Sequence, residues 1–200
     1  MRASSRILVA AAALALLVIY VVPLWRIDLH APQYPEGLGL RIWVDQITGV
    51  NPNDLNSINN LNHYIGMKDL VTEDFTEFKW LPFVVGAVAL LILRAAVHGR
   101  MAHLVDVLVL YLYFGAFAIW SFGYKMWSYG HHLAPTASVK VEPFMPPMFG
   151  HKTLANFEVY SYPAPASYAL AVAVLLLVVA LLMAWRDARR ASAGARCGAC

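Results

Sequence analysis

Four long apolar runs alternate with polar stretches along the chain. They cover residues 7–25, 80–97, 103–122 and 166–185, and only the second and third contain a charge, Arg94 and Asp106. Roughly 20 apolar residues are needed to cross about 30 Å of hydrocarbon. The pattern therefore predicts four transmembrane helices. The first run is too long for a cleaved signal core and offers no small-residue cleavage site, so we expect a retained anchor.

Two long polar segments, residues 26–79 and 124–163, follow the first and third runs, whereas only the tight turn "HGRMAH" joins the second run to the third. Long ordered connections are usually functional. We expect the two segments to form a small cap that contains short helices. The predicted fold class is an all-α membrane protein, a single domain over residues 1–200 with a tail at 186–200.

The polar segments contain two candidate helices. Leu38, Ile42 and Ile47 fall at roughly helical spacing, and Gly49 follows as a stop. The second helix starts at Asn53 or Asp54, either of which is a suitable N-cap. One face of this helix carries the apolar stripe Leu55, Ile58, Leu61 and Ile65, together with Asn62, and Gly66 is well placed as the C′ residue. In the second segment, the proline spacing around "SVKVE" favours an irregular path over a strand.

Composition and charge support the membrane interpretation and give an orientation. The chain is 60% hydrophobic and 14% charged, against about 25% charged in a soluble domain. With the N-terminus inside, eight basic and two acidic residues lie on the inner side, while seven basic and ten acidic residues lie outside. Cytoplasmic loops carry the excess of Lys and Arg. The topology is N-in and C-in, and the net charge of +3 gives no support to nucleic-acid binding.

His63 and Met67 form a candidate soft-metal pair in "NNLNHYIGMKDL". Imidazole and thioether suit copper, and residues four apart share one face of a helix. His63 lies nearly opposite the apolar stripe, so it faces away from whatever that stripe packs on. If Gly66 ends the helix, spacing no longer fixes the position of Met67. A helix with an ordinary surface histidine is the alternative.

Further ligand types lie in the outer segments. They are His30, His131, His132, His151, Met126, Met145 and Met148. Packing under a loop is the other explanation for Met145 and Met148, since methionine fills irregular gaps. No histidine lies in the interior of a predicted span, since His98 and His103 flank the inner turn at the membrane edge. This placement argues against a haem held between helices, and no C-x-x-C-H is present.

Arg94 and Asp106 lie at similar depth on adjacent antiparallel helices, about one turn from the inner end. We expect a structural ion pair between them, with a proton relay as the alternative. Cys197 and Cys200 would lie in the cytosol, where a structural disulfide is disfavoured, and their role stays open. The chain has no nucleophile elbow, P-loop or zincin motif. We therefore expect a protein that is not an enzyme.

Five stretches together resemble a family of small four-helix bacterial membrane proteins. They are "PLWRIDLHAPQYPEGLGLRIWVDQITG", "INNLNHYIGMKDL", "FTEFKWLP", "WSYGHHLAP" and "PPMFGHKTLANFEVYS". The family is associated with gene neighbourhoods for nitrous oxide reductase and its copper maturation. His63, Met67 and His131 match its pattern, while Ala134 stands where the pattern has an acid. The resemblance implies the bacterial inner membrane, with the two long segments in the periplasm.

The resemblance also implies an accessory or partner of a periplasmic copper enzyme. The first hypothesis is a membrane partner that docks nitrous oxide reductase through the cap. The second is a copper-handling protein that uses His63, Met67 and His131, and the third is a haem or quinol electron-transfer subunit. The expected partners are membrane lipid and the reductase, and copper is the only cofactor that the ligand types favour.

Overall fold

The computed structural model describes residues 1–154 and 157–197. Four of its helices are long and apolar enough to cross a membrane, as the sequence predicts. They are α1 (Ala3–Leu17, continued by a 3-10 turn at Val18–Tyr20), α3 (Glu77–His98), α4 (Met101–His131) and α5 (Pro165–Cys197). Helices α4 and α5 continue well past the predicted ends at 122 and 185. Much of the predicted tail is therefore helical.

The chain forms two compact units. The helical unit comprises Met1–Val18, Phe83–Ala116 and Tyr168 onward, and the sheet unit comprises Ile19–Pro82 and Phe117–Ser167. Small and branched side chains make the buried core of the helical unit, and those with no exposure are Val9, Ala12, Ala13, Ile92, Leu104, Ala173, Leu177 and Ala180. Small residues let helix backbones approach closely, which suits a bundle of apolar helices.

The N-terminus is bound to the turn between α3 and α4. The Met1 amino group donates to Gly99 O at 2.9 Å, and the Arg6 guanidinium donates to Ala96 O and Val97 O, both at 2.7 Å. These carbonyls at the end of a helix lack partners within it and carry partial negative charge. Cationic groups therefore cap α3 from outside.

A five-stranded antiparallel sheet shows that the all-α prediction is wrong. Its strands are β1 (Trp25–Ala31), β2 (Tyr34–Ile42), β3 (Ile47–Gly49), β4 (Gly150–Leu154) and β5 (Phe157–Pro163), in the order β3-β2-β1-β5-β4. The two polar segments thus share one sheet, because β1 from the first pairs with β5 from the second.

The helix expected around Leu38, Ile42 and Ile47 is also wrong, since these residues lie in β2 and β3. Leu38 and Leu40 lie two residues apart on the core face of β2, with Gly39, also buried, between them. A period of two residues is typical of a half-buried strand, and here it overrides the weaker match to a helical period.

Helix α2 (Asp54–Ile65) confirms the second predicted helix. Gly66 ends it in the left-handed region with φ +79°, which glycine adopts without a Cβ penalty. The helix packs its apolar stripe on the sheet, and the shared core contains Ile27, Leu29, Leu38, Leu40, Ile47, Ile58 and Val159.

Residues 132–149 follow an irregular path, as the proline spacing around "SVKVE" predicts. One buried side chain connects this path to two strands. Ser161 Oγ accepts a hydrogen bond from Trp25 Nε1 at 2.8 Å and donates to Met148 O at 3.0 Å. The irregular segment is therefore held against the sheet.

Candidate functional site

One face of the sheet carries the polar and aromatic side chains that the core does not use. Cross-strand partners share a face, and the pairs are Arg26 with Tyr162, Asp28 with Tyr160, His30 with Glu158, and His151 with Tyr160. We call these seven residues the open face. The opposite face holds Ile27, Leu29 and Val159 in the core.

Tyr160 lies at the centre of the open face, between two histidines. Its ring centroid is 5.6 Å from that of His30, edge to face, and 5.5 Å from that of His151, stacked. The Tyr160 hydroxyl donates to Glu158 Oε2 at 2.8 Å. This bond to a carboxylate favours the protonated phenol and raises the pKa of Tyr160.

Arg26 and Tyr162 form the other end of the open face. The Arg26 guanidinium lies 5.7 Å from the Tyr162 ring centroid, and the exposed Phe149 meets the same ring edge to face at 5.5 Å. Nearby, Arg41 on β2 donates to Asp28 at 2.7 Å. Each of these side chains therefore contacts a neighbour in the structure.

The geometry of the open face suits protein contact better than metal coordination. β1 and β4 lie on opposite sides of β5, so His30 and His151 approach Tyr160 from opposite sides. Across the part of the chain that the structure describes, no three His, Cys, Asp or Glu side chains are grouped as a metal site. Sequence reasoning counted His30 and His151 only as dispersed ligands. The alternation in "WRIDLHA" and "FEVYSYP" was the signal that could have placed them on one face.

His63 and Met67 lie at the C-terminal end of α2. The His63 side chain is exposed and Met67 is half-buried. Because Gly66 ends the helix, Met67 follows a different backbone direction, and its N–H donates to Asn62 O at 2.8 Å. Helical spacing therefore does not pair the two side chains.

The segment that follows His131 meets this end of α2. Ala134 N donates to Gly66 O at 2.7 Å, and Val139 N donates to Tyr64 O at 3.1 Å. His131 itself stacks on Trp127, with ring centroids 4.6 Å apart, and its Nδ1 lies 2.9 Å from Trp127 O. Within the described residues, no hydrogen bond or ring contact joins His63 to His131. Copper binding by His63, Met67 and His131 stays a prediction.

Met145 and Met148 are both half-buried in the irregular segment. Met148 packs on α4 at Gly123, since its Sδ lies 3.2 Å from the point that a Cβ on Gly123 would occupy. The carbonyl of Met145 accepts from Lys152 Nζ at 3.1 Å. The side-chain contact of Met148 favours packing over metal ligation for that residue, whereas the contact of Met145 is made by its backbone.

Arg94 and Asp106 line one cavity of about 130 Å3 in the helical unit. Both side chains are exposed, and among the described residues no ion pair joins them. The predicted structural pair therefore stays a prediction. Cys197 is the last residue of α5, and Cys200 lies outside the described residues.

No family model, no curated protein and no solved structure matches the chain.

Proposed function

We propose that the protein is a non-enzymatic membrane partner of nitrous oxide reductase and docks it through the open face. The observation that carries the proposal is the ordered row His30, Tyr160 and His151, with Arg26 and Tyr162 beside it. The resemblance supplies the identity of the partner. The open face of the sheet unit supplies the surface that we propose for docking.

The open face has the composition of a protein-binding surface. Tyrosine and arginine are enriched among the residues that dominate interface energetics. The Tyr160–Glu158 and Arg41–Asp28 hydrogen bonds hold side chains in place. Binding then costs less side-chain entropy, because that ordering cost is about 0.5–1.5 kcal/mol per mobile side chain.

The charge distribution favours a periplasmic position for the sheet unit. With N-in and C-in topology, the two segments that build the sheet lie outside the cytoplasm, and the eight basic residues on the inner side lie close to span ends, where the positive-inside bias acts most strongly. A periplasmic enzyme would meet the open face in its own compartment. The localisation proposed here is the bacterial inner membrane.

Retention of the reductase by tagged protein from native membranes tests the docking proposal. The test variant combines Arg26→Glu, which reverses a charge, with His151→Glu, which adds a negative charge. Both positions are exposed on the open face. Asn60→Glu, on the exposed side of α2, is the matched control. We expect the double variant to retain about ten-fold less reductase, the loss that corresponds to about 1.4 kcal/mol, and the control to retain the wild-type amount.

Two results would contradict docking through this face. One is the absence of the reductase from the wild-type preparation. The other is equal retention by the double variant and the wild type, provided that both elute alike on size exclusion.

Copper handling is the second candidate, and one observation favours it. The hydrogen bonds Ala134–Gly66 and Val139–Tyr64 bring the segment after His131 to the end of α2 that carries His63. Stoichiometric copper that is lost in His63→Ala and kept in His151→Ala would support it. Copper-free protein that still retains the reductase would leave docking as the function. A Soret band would instead support the electron-transfer hypothesis.

A further inference from the structure

The helical unit contains a partly open cavity of about 130 Å3 beside the turn between α3 and α4. Its apolar wall includes Leu91, Val107 and Leu110, and its polar wall consists of Arg94, His103 and Asp106. His103 and Asp106 are three residues apart on α4 and so share a helix face. The cavity therefore has one cationic group, one anionic group and one imidazole against a hydrocarbon surface.

In the part of the chain that the structure describes, neither charged side chain of this cavity is joined to a counter-ion. Among the described residues, neither Arg94 nor Asp106 makes a side-chain hydrogen bond or an ion pair. Charged side chains within a membrane helix are costly and normally pair. Arg94 could snorkel along its long stem, but the short Asp106 side chain reaches much less far. A ligand that brings its own charges would satisfy both.

In a bilayer that α3 and α4 cross, the cavity would lie close to one headgroup layer. Arg94 lies four residues before the end of α3 and Asp106 five residues after the start of α4, which is about 6 and 7.5 Å along the helices. The turn itself is surrounded by the Met1 amino group, Arg6 and Arg100. Such cationic groups favour contact with lipid phosphates.

We propose that this cavity binds the headgroup of a phospholipid that carries both a phosphate and a primary ammonium, the phosphatidylethanolamine class. The phosphate pairs with the Arg94 guanidinium and contacts His103, the ammonium donates to the Asp106 carboxylate, and an acyl chain lies on Leu91, Val107 and Leu110. The proposal rests on the four helices crossing a bilayer and is independent of the docking function.

The charges of the cavity select this class over other phospholipids. Phosphatidylglycerol supplies the phosphate but no cation for Asp106. Phosphatidylcholine supplies a quaternary ammonium that has no N–H to donate. Of the three headgroups, only the primary ammonium brings Asp106 both a positive charge and N–H donors, and charge-assisted hydrogen bonds are roughly twice as strong as neutral ones.

Native mass spectrometry of the full chain, reconstituted with equal amounts of the three lipids with identical acyl chains, tests the proposal. We expect wild type to retain phosphatidylethanolamine about ten-fold over phosphatidylcholine, as one hydrogen bond to a charged group allows. Asp106→Asn should lose this preference and Asp106→Glu should keep it. Arg94→Gln should retain less of every phospholipid, whereas Lys140→Gln, at an exposed position of the sheet unit outside the cavity, should match wild type.

Equal retention of phosphatidylethanolamine and phosphatidylcholine by wild type would overturn the proposal. A preference that survives Asp106→Asn would overturn it as well. If Asp106→Glu keeps the preference, substitution at this position leaves the cavity folded, and a loss in Asp106→Asn is due to the missing carboxylate. Soluble phosphoethanolamine should not displace the lipid, because it lacks the chain that contacts the apolar wall. Displacement by it would also count against a lipid ligand.

Discussion

Asp54 connects helix α2 to the sheet through a buried carboxylate. Its Oδ2 accepts the N–H groups of Gly39 and Asn51, both at 3.0 Å, and the side chain of Asn51 adds longer contacts. Burial raises the pKa of Asp54, but these hydrogen bonds, led by the Asn51 N–H, outweigh burial and hold the pKa below its usual value. The ionised form is therefore the one that the fold stabilises.

Asp54→Asn should lower the free energy of unfolding by about 1–3 kcal/mol, because an amide cannot accept all the N–H donors left around it. The folded pKa is depressed, so the stabilisation is present above the unfolded value of about 3.9 and is lost as pH falls through the folded pKa. Thermal unfolding followed by tryptophan fluorescence from pH 7 down to pH 3 measures both effects.

Asp45→Asn is the control for Asp54, because Asp45 is exposed and lies in the same segment. It should leave the unfolding temperature near that of wild type. If Asp54→Asn unfolds at the same temperature as Asp45→Asn at pH 7, then Asp54 does not stabilise the joint between α2 and the sheet.

The position of His63 shows how far single residues can be predicted. The apolar stripe of α2 places His63 on the exposed side, and the structure agrees. The segment that lies near His63 is held there by backbone hydrogen bonds of Ala134 and Val139 to the end of α2. These two residues are more than 70 positions after His63 in the sequence. No local pattern encodes such long-range contacts, so sequence alone left the neighbour of His63 open.

Gly66 fixes where α2 ends and where the second segment crosses it. Its φ of +79° lies in the left-handed region, and a Cβ there would lie 2.9 Å from Ala134 O and 2.9 Å from Ala137 Cβ. Gly66→Ala should destabilise the protein by about 1–2 kcal/mol for the backbone conformation alone, and the close contacts should add to this cost. The unfolding temperature is the measurement.

Gly115→Ala is the matched glycine control, since nothing lies within 4 Å of the added Cβ. Alanine favours a helix over glycine by up to about 1 kcal/mol, so this variant should equal or exceed wild type in stability. If Gly66→Ala and wild type unfold at equal temperatures, then a glycine in the left-handed conformation is not required where the second segment crosses the end of α2.

At the level of elements, the length and hydropathy of a segment predict the four long helices but do not predict the sheet. Long apolar runs have one stable form in a bilayer, which is why α1, α3, α4 and α5 were predicted. The strands are short, and β2 contains Gly37 and Gly39, which weaken a strand signal. The alternation in β1 and β5 is present in the sequence, but their pairing joins residues 128 (His30 and Glu158) to 138 (Trp25 and Pro163) positions apart.

The orientation of the whole molecule is a prediction that labelling can test. In a background with Cys197 and Cys200 replaced by serine, single cysteines at Asn60 and Ala191 occupy exposed positions on α2 and α5. With N-in and C-in topology, a membrane-impermeant maleimide should label Asn60→Cys in intact spheroplasts and Ala191→Cys only after lysis.

The opposite labelling pattern would invert the topology and place the sheet unit in the cytoplasm. A periplasmic enzyme could not then reach the open face, and the docking proposal would fail with it. The lipid proposal would survive, because it depends on the depth of Arg94 and Asp106 and not on the side of the membrane.

The most direct test of docking is site-specific photo-crosslinking in native membranes. A photoreactive phenylalanine analogue at His151 lies on the open face, and the same analogue at Asn60 lies on the exposed side of α2. We predict an adduct with nitrous oxide reductase from position 151 and none from position 60. An adduct from position 60 alone, or no adduct from either position, would contradict docking through the open face.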